Sequence, residues 1–303
     1  MAVAAAPPGI RPDYTIDQNW TGYTIEDHRV WRTLYRRQDA LLPGRVVPEF
    51  LDALHRLDIS PDAIPDFRRL TALLEPVTGW RIVAVPGLVP GAIFFEHLAN
   101  RRFPVTAWIR RPDQMDYLEE PDLFHDLFGH VPLLMNPVFA DYMQRYGQAA
   151  QRAERQGALD FIGRLYWYTV EFGLMTTPAG LRIFGAGIVS SKGETVWCLD
   201  DPSPNRIGFH RERVMRTDYR IDDFQETYFV IDSFAQLFHS IAGDLAPLFA
   251  KVAAMPALGA GAVLPTDRVF HRGTGEYHQA KRGSALAGAA KGPPVPSPSL
   301  AKG

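Results

Sequence analysis

One stretch constrains this 303-residue chain more than any other: Pro121-Asp122-Leu123-Phe124-His125-Asp126-Leu127-Phe128-Gly129-His130-Val131-Pro132-Leu133-Leu134. Two imidazoles five residues apart sit in an otherwise apolar run, with carboxylates beside them. A regular helix turns about 100° per residue, so residues five apart point about 140° from each other and cannot face one ion. The stretch therefore predicts a helix that ends between them. Gly129 permits the left-handed conformation that terminates helices, and Pro132 biases Val131 away from the helical region. His125 is then expected on the last turns, with His130 folding back from the exit. Zinc proteases differ, because their histidines lie four apart with a glutamate after the first; here Asp126 follows the first.

Cys198 is the only cysteine, which excludes an intramolecular disulfide and a thiolate cluster and fits a reducing compartment. Any metal must then bind through nitrogen and oxygen. Glu171 is the best third ligand, a single glutamate in the apolar segment 159–175 among Phe161, Ile162, Leu165, Tyr166, Trp167, Val170, Phe172 and Leu174. A buried, unpaired carboxylate costs several kcal/mol and needs a cation or good hydrogen bonds. Two imidazoles and a carboxylate match the facial set that holds non-haem Fe(II) with open positions, and they also describe catalytic zinc sites. The residues alone equally allow packed histidines, with Glu171 paired to Arg164.

Charge is nearly balanced, 32 Lys and Arg against 34 Asp and Glu, with no basic run interleaved with aromatics, which argues against nucleic acid and for a small-molecule partner. Met1 to Ile10 is too short and uncharged for a secretory signal, and no apolar run approaches the roughly 20 residues of a membrane span. A cytoplasmic protein is expected, with a flexible N-terminus over 1–12, one catalytic domain over 13–281 and a disordered Gly/Ala/Ser/Pro/Lys tail over 282–303.

Periodicity and breakers predict helices over 24–42, 48–57, 64–74 (ending before Pro76), 90–101, 137–156 and 159–175, and strands over 80–85 and 103–109. A hairpin or looped sheet is expected over 182–198, and an apolar helix over 222–249. The run Gly185-Ala-Gly-Ile-Val-Ser-Ser-Lys-Gly-Glu194 fails both nucleotide-loop fingerprints, since its sixth position is Ser190 and no Gly-Lys-Ser/Thr follows. It reads as a hairpin turn, or as a pocket wall offering Ser190, Ser191 and Glu194.

Taken together, Pro121-Asp122 through His125-Asp-Leu-Phe-Gly-His130-Val-Pro, Leu165-Tyr-Trp-Tyr-Thr-Val-Glu171-Phe-Gly-Leu and Gly185-Ala-Gly-Ile-Val-Ser-Ser with Gly193-Glu194 closely resemble the pterin-dependent aromatic amino acid hydroxylases, especially the short bacterial phenylalanine 4-hydroxylases. The resemblance runs from about Trp20 to about His278. It implies a mainly helical, basket-like catalytic domain with small β-hairpins, holding Fe(II) by His125, His130 and Glu171. Tetrahydrobiopterin or a related tetrahydropterin is then the reductant, and L-phenylalanine is hydroxylated to L-tyrosine with O₂, the first step of phenylalanine catabolism. It further implies pterin contacts at Phe94, Leu88 and Val89, with Asp126 and Tyr166 close to iron and pterin. Arg110 corresponds to the arginine that pairs with the substrate carboxylate, assisted by Ser190. Trp167 and Pro121 wall the ring pocket, and Glu194 lies beside the substrate.

Leu118 departs from the threonine of animal members. A regulatory domain and a coiled-coil helix are absent, so a monomer is expected. Trp167 stands where tryptophan hydroxylases have phenylalanine, and Ile221 where tyrosine hydroxylases carry an acid, so phenylalanine is favoured over tryptophan or tyrosine. Outside this family, a zinc hydrolase or a metal-stabilised, non-catalytic binding module would use the same three ligands.

Overall fold

The computed structural model describes residues 6–116, 118 and 120–289. Parts of both expected flexible termini, 1–5 and 290–303, lie outside the described residues.

Helix α1 (Ile25–Asp39) begins where Thr24 and Asp27 close a reciprocal capping box, and it buries Val30, Trp31, Leu34 and Tyr35. Helix α2 (Pro48–Arg56) starts on a proline, whose missing N–H costs nothing there. Helix α3 (Phe67–Thr78) runs through Pro76, where the sequence suggested a stop. In the last turn the proline forfeits a single bond, and Gly79 at φ 74° terminates the helix instead. Strand β1 (Arg81–Val85), helix α4 (Gly91–Ala99) and strand β2 (Arg102–Thr106) form a βαβ unit with parallel strands.

From Phe124 to His130 the chain is a π-helix, and this corrects the expected helix stop between the two histidines. The conflict between spacing and a regular helix is real, but the chain resolves it by widening the helix. Hydrogen bonds from i to i−5 bring residues five apart onto one face. Phe124 and Phe128 stack at 4.8 Å and plug into Trp31, Tyr35 and Phe50 at 5.3–5.7 Å, so the opposite face, with His125 and His130, is left for chemistry. Burying two such rings contributes roughly 1.5–3 kcal/mol each. Gly129 is not left-handed. Its role is space, because a Cβ there would lie 2.9 Å from the Ala186 carbonyl oxygen. Val131 keeps helical angles, and Pro132 opens a 3₁₀ turn through Met135.

Helix α5 (Pro137–Arg155) packs against α4, capped by the Asn136 side chain. Helix α6 (Leu159–Tyr166) continues into a second π segment, Trp167–Glu171, with Phe172 N–H bonded to the Trp167 carbonyl at 2.9 Å. The expected continuous helix to 175 therefore ends early, and β3 (Leu174–Thr177) and β4 (Gly180–Ile183) form a hairpin. The looped sheet expected over 182–198 is mostly helical: α7 (Ala186–Val189) and α8 (Lys192–Asp200), the latter capped by Ser191. Close approach again explains the glycines, since a Cβ on Gly187 would sit 3.2 Å from Glu171 Oε2 and 2.9 Å from the Phe172 ring.

Strand β5 (Asn205–Gly208), helix α9 (Arg211–Met215), strand β6 (Thr227–Ile231), helices α10 (Phe234–Ser240) and α11 (Ala246–Ala253) and strand β7 (Val269–His271) follow. The apolar helix expected over 222–249 is thus a strand and two short helices. Its β-branched and aromatic start, Thr227-Tyr-Phe-Val-Ile231, is buried throughout as the central strand of a sheet ordered β4-β3-β6-β5-β7. Helix α12 (Glu276–Ala289) carries residues 282–289 beyond the tail boundary expected at 282; alanine-rich sequence favours helix there. The architecture is mainly helical with one five-stranded mixed sheet and the separate β1–β2 pair, and both π segments pack against α7.

Candidate active site

Three ligand atoms converge between the π segments. His125 Nε2 lies 3.2 Å from His130 Nε2 and 3.6 Å from Glu171 Oε2, and His130 Nε2 lies 3.2 Å from Glu171 Oε1. Among the described residues this is the one group of three or more such side chains spaced to hold a metal. Donors separated in this way are neighbours around a centre about 2.1 Å from each.

The supporting bonds fix the donors' state. Ser190 Oγ–H donates to the Ala186 carbonyl at 2.8 Å, so its oxygen accepts Nδ1–H of His125 at 2.9 Å. His125 then presents an Nε2 lone pair inward. Burial depresses the His125 pKa, favouring the neutral ligand form. Burial works against ionisation of Glu171, but the facing imidazoles and the Gly187 N–H outweigh it and hold the carboxyl below its usual value. A lone pair and a carboxylate aimed at one point leave a cation-shaped need, which a divalent metal fits. Arg164, the alternative partner for Glu171, instead pairs with Asp218 at 2.9 Å. His130 is held by ring contacts with Phe103 on β2 (5.1 Å) and Tyr166 (6.3 Å).

His125 and Glu171 form the floor of a cleft of about 310 Å³, whose walls include Arg110, Pro121, Trp167 and Ser190. Arg110 is buried and forms a fork with Asp122, Nε to Oδ2 and Nη2 to Oδ1, both 2.8 Å. Burial raises the Asp122 pKa, yet the guanidinium's bonds and charge pull it down overall. Asp122 also accepts the Arg110 and His125 backbone N–H groups, so it ties the β2 exit to the first π segment. Asp122 has no role that the sequence alone assigns; its place beside Pro121 in the motif is the one signal for it.

Phe94, Leu88 and Val89 lie outside this cleft. Phe94, half-buried on α4, touches Tyr166 edge-on at 5.9 Å, and Tyr166 in turn lies against His130. Burial pushes the Tyr166 phenol well up, so it stays protonated. Leu88 is 67% exposed. Asp126 is half-buried; desolvation raises its pKa, and it accepts the Thr106 N–H at 2.8 Å. Glu194 requires a correction: the structure does not bring it into the cleft. Its carboxylate accepts the Tyr228 hydroxyl and the Gln225 N–H at 3.2 Å, because α8 starts at Lys192 and turns this side chain into the core.

Residues 15–245 match the model of the biopterin-dependent aromatic amino acid hydroxylase family. The chain belongs to that family. It is 62% identical over 267 residues to the phenylalanine-4-hydroxylase of Ralstonia nicotianae, covering 88% of this chain and 85% of the relative. It is 57% identical over 286 residues to that of Caulobacter vibrioides, covering 94% and 97%. Among solved structures, the iron- and phenylalanine-bound phenylalanine hydroxylase of Chromobacterium violaceum superposes with TM-score 0.81 at 58% identity, covering 85% of this chain and 94% of that one. Family membership makes the zinc hydrolase and the non-catalytic module superfluous. None of the helices among the described residues is long and apolar enough to cross a membrane.

Proposed function

We propose that the protein is a phenylalanine 4-monooxygenase that converts L-phenylalanine to L-tyrosine with O₂, Fe(II) and a tetrahydropterin, acting as a cytoplasmic monomer in the first step of phenylalanine catabolism. The observation that carries the reading is a metal-type donor set on the floor of a cleft whose wall combines a buried arginine with an indole.

His125, His130 and Glu171 would hold the iron. When bound, iron and tetrahydropterin supply the O₂-activating chemistry that adds one oxygen atom to the ring. The chain's own residues bind and orient. Arg110 spends Nε and Nη2 on Asp122 and retains guanidinium donors for the amino acid's carboxylate. Its orientation is preset by that buried fork, so little side-chain entropy is lost on binding. Ser190 keeps the Nε2 lone pair of His125 directed at the metal. Trp167 and Pro121 wall the ring, and the burial of His130 keeps bulk water from its donor nitrogen. On the far side of His130, Phe94 and Tyr166 offer aromatic surface for a pterin, with Leu88 and Val89 at the preceding turn and Asp126 beside the ligands.

Aerobic turnover of Fe(II)-loaded protein with a tetrahydropterin and L-phenylalanine, L-tyrosine or L-tryptophan tests the reading. Tyrosine formed from phenylalanine, lost when iron or pterin is omitted, is the expected result. Iron-loaded protein that forms no product from any of the three overturns it.

A further inference from the structure

Gln225 lies just before β6 and is 2% exposed. Its Nε2 faces two carbonyl oxygens, Arg220 at 2.8 Å and Asp223 at 3.4 Å, and so must donate to both. Its Oε1 faces Nε1 of Trp167 at 2.9 Å, and an indole N–H can only donate. A single amide orientation satisfies all three contacts. The backbone of Gln225 is fixed as firmly: its N–H is bonded to Glu194, and its carbonyl accepts Nε1 of Trp197 at 3.0 Å.

Trp167 is the indole of the cleft wall. It stacks on Tyr219 at 4.4 Å and leans on Phe172 at 4.7 Å, contacts that confine its plane but leave its tilt free. Tyr219 and the cleft-lining Ile221 belong to the same loop whose Arg220 and Asp223 carbonyls Gln225 holds. One amide therefore ties the indole and the loop beside it into a single surface.

We propose that Gln225 is a positioning residue that sets selectivity for the substrate's ring by fixing the tilt of Trp167 and the 219–223 loop. Gln225 itself does not line the cleft and acts only through these groups. Removing its oxygen strands the indole N–H beside the buried Gln225 side chain, and the half-buried ring must turn toward water to recover a partner. The wall then loosens, and a larger ring gains admission. This inference rests on reading the cleft as the seat of ring hydroxylation.

The experiment is a double-mutant cycle of Gln225→Met and Trp167→Phe in the iron-loaded enzyme. Gln225→Met is expected to lower the ratio of kcat/KM for phenylalanine over tryptophan about tenfold, equivalent to ~1.4 kcal/mol, through a higher KM for phenylalanine and an unchanged KM for tetrahydropterin. In the Trp167→Phe background, which lacks the indole N–H, only the hold on the loop remains to be lost, and the same substitution is expected to lower the ratio by clearly less than tenfold. An unchanged ratio in the wild-type background, or an equal tenfold loss in both backgrounds, overturns the proposal. A second readout needs neither turnover nor a folded Gln225 variant. The Trp167 indole N–H, assigned by its disappearance in Trp167→Phe, is expected to exchange slowly with solvent in ¹⁵N spectra of the wild-type protein. Rapid exchange overturns the proposal. Wild-type enzyme without hydroxylase activity would refute the function while leaving this readout to decide whether Gln225 fixes the indole.

Discussion

The two sides of the metal-type centre are built differently. On the side proposed for the amino acid, polar groups are tied to the protein before any ligand arrives: Arg110 to Asp122, Ser190 to His125 and Ala186, Trp167 to Gln225. On the side proposed for the pterin, Leu88 is largely exposed, and Phe94 meets its neighbours through ring edges near 5.9 Å. The first side is preorganised by one buried charge-assisted fork and by neutral hydrogen bonds with little access to water, which are costly to break. The second is an apolar shelf on a turn, which can adjust at small cost. Substitutions on the first side should therefore damage stability and binding together, and those on the second should alter binding alone.

The largest effect is expected at the centre that both sides share. His125→Ala, His130→Ala or Glu171→Ala should abolish iron binding, measured by metal analysis after gel filtration, and product formation with it. Retained turnover in any of the three would break the comparison at its root.

Asp122→Ala comes next. It leaves the buried Arg110 charge unpaired and removes an acceptor from the His125 N–H, so a loss of roughly 3–5 kcal/mol in unfolding free energy is expected by denaturant titration. Arg110→Lys keeps the charge but loses the fork, and a large rise in KM for phenylalanine should follow. An unchanged KM would remove Arg110 from the substrate's site.

How much of this was legible in the sequence depends on which interactions are local. The three ligands stood out because each is chemically conspicuous within a short motif, whereas Arg110, outside those motifs, and Trp167 gained their roles only through the family resemblance. The π geometry did not stand out, because it arises from tertiary anchoring: Phe124 and Phe128 are held by Trp31, Tyr35 and Phe50, 78 to 93 residues away in sequence. The same holds for 227–231, whose apolar run fits a buried strand or a buried helix until its β3 and β5 partners are known. Glu194 was misplaced because its motif neighbour Ser190 faces the cleft, whereas the α8 cap at Ser191 rotates Glu194 the other way. Gln225 carried no signal at all, since it touches the cleft only through Trp167.

A pH experiment separates the locked side from its surroundings. Burial raises the Glu194 carboxyl to about 7, while the Tyr228 hydroxyl and the Gln225 N–H partly counteract it. The folded state thus holds a proton that the unfolded chain has released above its ordinary value of 4.5. Stability from this group is complete below that value, declines as pH rises toward about 7 and is gone above it, an effect of up to ~3 kcal/mol. Glu194→Gln should flatten that decline in denaturant midpoints measured between pH 5 and 8. An identical slope in the variant would assign the decline to another group.

The smallest effect is expected on the open shelf. Phe94→Leu keeps an apolar side chain but removes the ring face, and a stacking contact is worth about 0.5–1.5 kcal/mol, so KM for the tetrahydropterin should rise roughly two- to tenfold. Leu88→Ala should do less, because an exposed side chain has little buried area to lose. Neither substitution should shift the melting temperature by more than a degree or two or change KM for phenylalanine, since no hydrogen bond of the locked side passes through either residue. A Phe94→Leu variant that melted as early as Asp122→Ala would show that the shelf is structural, and the contrast between a fixed amino-acid side and an adjustable pterin side would fall.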